Sequence, residues 1–212
     1  MDEILLAIIG LAVLIFILLL YFSHRYIKKL SISINLFRFL WDYLILEPIT
    51  FVFRWLPGGW GIFLRYPFYK IILKRMGWNV TILEGVKIGF PERFEIGRNC
   101  SINPNCFFDA QGGIRIGNWV RIGAGCSFTT VINNSENPSV PMKKQGITQK
   151  GVKIEDDVVI SINSVILPGV KIGKGSYIGA GAVVGIDIPP YSIAVGNPAR
   201  VVKSRKKEQH KD

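Results

Sequence analysis

The chain reads as a mainly β protein, a coil of short strands behind an apolar and helical N-terminus. Three observations predict this: a sixfold aliphatic period, a long uncharged run at the start, and a polar stretch that interrupts the period. From Ile154 an aliphatic residue returns at every sixth position, through Ile160, Ile166, Ile172 and Ile178 to Val184. Slim residues (Val158, Ser164, Val170, Ser176, Ala182) follow four positions behind the anchors. A helix spaces its apolar residues by three and four and a flat strand by two. A strict six fits a three-faced coil in which each hexad supplies one strand and one corner. The anchor points inward, the slim residue fits the corner, and Gly or Asn takes the turn.

The period continues upstream with insertions. Ile82 and Ile88 are followed by Ile96, two residues late; Ile102 and Phe108 are followed by Ile116, again two late; Ile122 and Phe128 complete the series. Residues 129–151 then abandon it. They are polar, contain Pro138 and Pro141, and offer no amphipathic face, so they read as a loop ejected from one corner and a candidate site. Cys100, Cys106 and Cys126 occupy the slim inward position four residues after an anchor, which makes them small core residues. Three cysteines without metal-ligand spacing argue against a disulfide framework and fit a reducing compartment.

Residues 4–22 carry no charge, and at 1.5 Å per residue they cross most of a ~30 Å bilayer core. They lack a basic leader region and a small-residue cleavage site, so the reading is an anchor rather than a removed signal peptide. Asp2 and Glu3 precede the run and Arg25, Lys28 and Lys29 follow it. The positive-inside rule then predicts a single-pass membrane protein with its C-terminal domain in the cytoplasm. Residues 30–78 mix Trp41, Trp55, Trp60 and Trp78 with Arg38, Arg54, Arg65, Lys70, Lys74 and Arg75, and read as an interfacial helical region touching lipid, or as a packing collar. A second span over residues 36–56 is disfavoured by Arg38, Asp42, Glu47 and Arg54.

The expected organisation is an anchor at 1–29, the interfacial region at 30–78, the coil at 79–200 and a basic tail at 201–212. Of the net charge of +11, residues 24–78 contribute +7 and residues 200–212 contribute +4, so the coil is nearly neutral. A nucleic-acid partner is not expected, since it would call for a basic face on the folded domain.

The hexads, the segment Asp109-Ala110-Gln111-Gly112-Gly113-Ile114 and the ending Pro189-Pro190-Tyr191-Ser192-Ile193-Ala194-Val195-Gly196-Asn197-Pro198-Ala199-Arg200 resemble the hexapeptide-repeat acyltransferases, in particular the sugar O-acetyltransferases of surface-polysaccharide assembly. The resemblance covers about residues 70–207. It implies a left-handed parallel β-helix, a homotrimer, and acetyl-CoA as acyl donor in clefts between subunits, with no metal. It places the cofactor on Ser161, Ala180, Asn197, Arg200, Arg205 and Lys206. The acceptor it implies is a sugar or lipid-linked glycan.

The family's loop histidine, a general base, has no counterpart here. Val131 and Asn133 stand where it would align, and the only histidines are His24 and His210. The family's Trp-Ile-Gly-Ala segment reads Val159-Ile160-Ser161-Ile162, without the aromatic. Three substitutes for the base are open: Glu136 or Asp109 acting as base if burial raises its pKa, a histidine from a neighbouring subunit in a mixed trimer, or positioning with an oxyanion site alone. Asn133 can orient a hydroxyl but accepts no proton at neutral pH. Two functions follow, an O-acyltransferase or a catalytically inactive scaffold that binds a glycan, a CoA-like ligand or a partner enzyme. A zinc carbonic anhydrase of this fold would need three histidine ligands in the coil, and a sugar-nucleotidyltransferase would need an N-terminal phosphate-binding domain. Both are excluded.

Overall fold

The computed structural model describes residues 44 and 46–206. The chain divides into two units, residues 1–53 and 54–212. In the first, helix α1 (Glu47–Trp55) begins, and Thr50 Oγ1 donates to the Glu47 carbonyl at 2.8 Å. The second unit holds helix α2 (Gly58–Ile72) and the coil.

Each turn of the coil lays one strand on each of three parallel sheets. Face A stacks Arg75–Met76, Phe94–Ile96, Ile114–Ile116, Val152–Ile154 and Lys171–Ile172. Face B stacks Val80–Ile82, Cys100–Ile102, Arg121–Ile122, Val159–Ile160, Tyr177–Ile178 and Ser192–Val195. Face C stacks Lys87–Gly89, Phe107–Asp109, Ser127–Phe128, Val165–Ile166 and Val183–Val184. The register sets anchor on anchor, for example Ile122 beside Ile160 and Ile160 beside Ile178. The chain ends by folding Arg200–Ser204 back antiparallel along Ser192–Val195.

The anchors fill the interior. Ile102, Phe108, Ile122, Phe128, Ile160, Ile166, Ile172, Ile178 and Val184 are fully buried, as are Val158, Ser164, Ser176 and Ala182 at the slim positions. Burying one such anchor contributes about 1.5–3 kcal/mol. Three phenylalanines stack through the upper turns, Phe94 edge-on to Phe108 at 5.2 Å and Phe108 parallel to Phe128 at 4.6 Å. Asn79, Asn99, Asn105 and Asn163 take left-handed turns with φ between 54° and 59°, as their short polar side chains permit. The two late anchors, Ile96 and Ile116, both follow the corner from face C to face A, the same corner that ejects residues 129–151.

Helix α2 closes the open end of the coil. Its Arg65 is 1% exposed, donating from Nε to the Ile82 carbonyl at 2.8 Å and from Nη1 to the Leu56 carbonyl at 2.7 Å. Burial pulls this guanidinium below its ordinary pKa, with Glu84 opposing the shift. Tyr69 Oη donates to the Val86 carbonyl at 3.1 Å. The bonds to Ile82 and Val86 satisfy carbonyls of the coil's first turn, which has no strand above it.

The membrane expectation is corrected here. Among the described residues no helix is long and apolar enough to cross a membrane. Helix α2, at 15 residues, spans only about 22 Å. The single-pass placement with a cytoplasmic domain is withdrawn; the run at residues 4–22 lies outside the described residues. Two of the cations expected to reach lipid have protein partners instead: Arg65 is buried, and Lys74 pairs with Glu95 at 2.7 Å.

Candidate active site

Asp109 ends a face C strand at the corner from which the long loop leaves. Its carboxylate accepts the Gln111 amide at 3.2 Å, and its carbonyl accepts the Thr130 hydroxyl at 2.8 Å. Thr130, fully buried, also accepts the Gly112 amide at 2.7 Å, so one hydroxyl ties the loop's root to the corner of the preceding turn. Asp109 is half-buried, with capacity to accept a further donor.

The loop is built rather than slack. Val131–Asn133 and Ile147–Gln149 form an antiparallel ribbon that sets Asn133 opposite Ile147. Beyond it, Asn134 donates through its amide to the Gly146 carbonyl at 3.1 Å and accepts the Thr148 hydroxyl at 2.7 Å. Gln145 pins the tip by donating to the Asn137 and Val140 carbonyls at 2.8 and 2.7 Å and accepting the Asn137 amide at 3.0 Å. Asn133 and Glu136 are exposed. At strand rise, Asn133 stands about 10 Å from the loop root at Thr130. Asp109 therefore belongs to the root, whereas Asn133 and Glu136 belong to the outer loop.

The predicted cofactor residues separate into two groups. Ser161, Ala180 and Asn197 share the corner between faces B and C on successive turns, and Arg200 follows the tight turn that closes it. Backbone bonds brace this corner, from Ser161 N to the Ile178 carbonyl at 2.9 Å, Gly181 N to the Ile162 carbonyl at 2.9 Å, and Val183 N to the Gly196 carbonyl at 3.0 Å. Ser161 Oγ donates to Tyr177 Oη at 2.9 Å. Ile162, where the related pattern has alanine, is 53% exposed at the same corner. Arg205 and Lys206 lie across face B, at the corner between faces A and B. Arg205 donates to the Gly175 carbonyl and lies 3.9 Å from Asp157, and the Lys206 ammonium sits 5.0 Å from the Tyr191 ring. The structure therefore brings together four of the six predicted cofactor residues and holds two apart.

The cysteines are structural. All three are buried, and their thiols donate to carbonyls of the next turn: Cys100 to Gly117 at 3.2 Å, Cys106 to Gly123 at 3.1 Å, Cys126 to Ser161 at 3.0 Å. Burial pushes the Cys100 thiol up, and the neighbouring Cys126 together with burial pushes Cys106 up strongly, so neither offers a thiolate. Among the described residues no three His, Cys, Asp or Glu side chains are placed to hold a metal ion.

Sequence reasoning missed a cavity of about 390 Å³ on face A, lined by Arg75, Glu95, Arg115, Asn118, Lys153 and Asp156 among others and by none of the predicted catalytic or cofactor residues. The signal was present, since the residue just before each face A anchor is charged: Arg75, Glu95, Arg115, Lys153 and Lys171.

Comparison with known proteins agrees with this geometry. The family profile "Bacterial transferase hexapeptide (six repeats)" matches residues 151–185. A candidate acetyltransferase of Schizosaccharomyces pombe is 38% identical over 121 residues, which are 57% of this chain and 56% of that protein. The chain thus spans about half the length of the curated relatives it matches. The crystal structure of a hexapeptide-repeat acetyltransferase of Vibrio cholerae O1 biovar eltor, in complex with acetyl coenzyme A, superposes with a TM-score of 0.71 at 28% identity, covering 84% of this chain and 91% of that one. A maltose O-acetyltransferase from Clostridium difficile 630 superposes with a TM-score of 0.68 at 27% identity, over 76% of this chain and 84% of that one. The chain shares with these acetyltransferases the hexapeptide repeat and the parallel β-helix built from it.

Proposed function

We propose that this chain is an acyl-CoA-dependent O-acyltransferase that moves an acetyl group from acetyl-CoA to a hydroxyl of a sugar. The observation that carries the reading is a coil, superposable on an acetyltransferase that binds acetyl-CoA, which keeps both a braced, slim-residue corner and a structured loop. The thioester supplies an activated carbonyl. The sugar oxygen attacks that carbon, the carbon–sulfur bond breaks, CoA leaves as its thiol, and the hydroxyl proton passes through a protein acceptor to the sulfur.

Ser161, Ala180, Asn197 and Arg200 hold the CoA along the B–C corner, where the exposed Ala180 and Gly181 leave room for an extended chain. Asp109, half-buried and already accepting one amide, receives the sugar hydroxyl and is the better-placed proton acceptor. Asn133, further out along the loop, orients a second hydroxyl of the same sugar through its carboxamide. Glu136, exposed at the tip, is the weaker candidate. Arg205 and Lys206, at the opposite corner, serve a CoA phosphate only if it is brought there by another copy. A homotrimer, with the loop of one copy facing the B–C corner of the next, completes the site.

The missing imidazole removes a contribution of about 10²–10⁴-fold, so turnover is slow. One specific observation favours a second reading, non-catalytic binding: residues 44–206 contain no histidine, and Ile162 stands where a small residue would widen the cleft. A thioester-consumption assay with sugar acceptors decides between them. Slow consumption that is lost in Asp109→Asn supports the enzyme; CoA binding with no consumption supports the second reading.

A further inference from the structure

The corner between faces A and B carries features that acyl transfer does not use. On successive turns one position of this corner is Asn79, Asn99, Trp119, Asp157, Gly175 and Tyr191. All six have positive φ, and Trp119 sits at φ 60°. Asn, Asp and Gly suit the left-handed region, whereas a bulky aromatic there is strained. Tyr191 is half-buried and meets the Lys206 ammonium at 5.0 Å. Trp119, by contrast, is 61% exposed. One position earlier and two turns away, Trp78 is 59% exposed. At sheet spacing their two turns lie about 10 Å apart along the coil axis.

Beside them opens the 390 Å³ cavity of face A. Its floor includes Gly97 and Gly117, where turns approach so closely that a Cβ on Gly97 would meet the Gly117 carbonyl at 2.5 Å. Its rim carries the cross-strand ladder Arg75, Glu95, Arg115 and Lys153, with Lys174 at the corner, and Lys171 continues the ladder beyond it. The acids here are engaged by protein donors. Glu95 is held by Lys74 at 2.7 Å and Arg115 at 3.5 Å, Glu155 by Lys171 at 3.2 Å and the Lys174 amide at 3.0 Å, and Asp156 by the Asn118 amide at 2.7 Å. The cations retain spare donors: Arg115 is 71% exposed and Lys153 58%.

We propose that this corner is a binding site for an acidic glycan chain, separate from the acyl-transfer site. Exposed indoles offer apolar plates for the C–H faces of sugar rings, with an N–H for their hydroxyls. Arg115 and Lys153 pair with carboxylates carried by the chain, and the fixed acids and Asn118 accept or donate to hydroxyls. A single-stranded nucleic acid would also stack on indoles, but Glu95, Glu155 and Asp156 offer acceptors that suit the hydroxyl donors of sugar rings, which a DNA backbone lacks. Trp119 keeps its strained backbone because the exposed ring binds. Identifying the bound chain with the acceptor rests on the acyl-transfer reading. Binding itself does not, and it is measured without any acyl donor, so the two can fail separately.

The experiment is calorimetric titration of the full chain with hexameric oligogalacturonate, and with maltohexaose as the neutral counterpart, at low and high salt. Oligogalacturonate binds, more tightly than maltohexaose, and weakens as salt rises. Trp119→Asn, which suits the left-handed backbone, keeps or raises the Tm and weakens binding by about tenfold or more. The pair Arg115→Gln and Lys153→Gln removes the preference for the acidic chain, and Arg121→Gln on face B changes nothing. The proposal is overturned if oligogalacturonate at millimolar concentration gives no binding, if Trp119→Asn binds as tightly as the parent, or if oligo-dT of similar length binds more tightly than the glycan.

Discussion

Asn133 stands opposite Ile147 in the two-stranded ribbon of the ejected loop. The ribbon fixes the backbone at this position, so a side chain placed there is presented in a defined direction. Asn133→His therefore supplies a proton acceptor without rebuilding the loop. Its expected effect is a rise in the rate of acetyl-CoA consumption of about 10²-fold or more, with a new pH dependence near neutrality. A variant no faster than the parent places the reacting hydroxyl elsewhere.

The sixfold anchors make a testable contribution to stability. Ile160 is fully buried between Ile122 and Ile178 on face B. Ile160→Ala costs about 2–5 kcal/mol, read from the urea midpoint at unchanged m-value. Ile162→Ala, two residues away at an exposed position, costs far less and opens the B–C corner, so it strengthens CoA binding while leaving the midpoint nearly unmoved.

Arg65 serves the coil's end cap. Arg65→Met keeps much of the packing volume but removes the donors to the Ile82 and Leu56 carbonyls. Leaving such groups unpaired costs about 1–3 kcal/mol each. The loss appears first as faster amide exchange in Val80–Ile82, the strand beneath the cap.

Acid sensitivity follows from the face A ladder. The hydrogen bond from Lys74 holds the Glu95 carboxyl below its usual range, and the Lys174 amide and Lys171 ammonium do the same for Glu155. A carboxyl whose pKa is lower folded than unfolded stabilises the folded state fully above the unfolded value of about 4.3, and loses that contribution as pH falls through the folded value. Thermal melts from pH 6 to pH 3 should show stability declining below about pH 4.3, with Glu95→Gln flattening part of that decline.

The coil was legible in the sequence because its geometry is repeated: an anchor at each sixth position meets the same inward environment, and Cys100, Cys106 and Cys126 declared their burial by their place behind Ile96, Ile102 and Ile122. The loop was legible as an interruption, but not its ribbon, since three residues per strand are too few to show alternation. The division of the cofactor residues was hidden for a different reason. Arg205 and Lys206 follow Arg200 closely in sequence, yet the antiparallel strand Arg200–Ser204 carries them across face B to the next corner. Composition shows charge beside aromatics over residues 30–78 and leaves lipid contact and packing both open, because it cannot show Glu95 as the partner of Lys74 or the Ile82 carbonyl as that of Arg65. Nothing in the sixfold pattern marks Trp119, and only its left-handed backbone places it among asparagines.

The central claim is that the corner formed by Ser161, Ala180 and Asn197 receives a CoA thioester. Calorimetric titration of the full chain with CoA tests it most directly. The account predicts saturable binding below millimolar CoA, displaced by acetyl-CoA and abolished by Ala180→Tyr, which fills the corner. Absence of binding at millimolar CoA, or binding that Ala180→Tyr leaves unchanged, would contradict it.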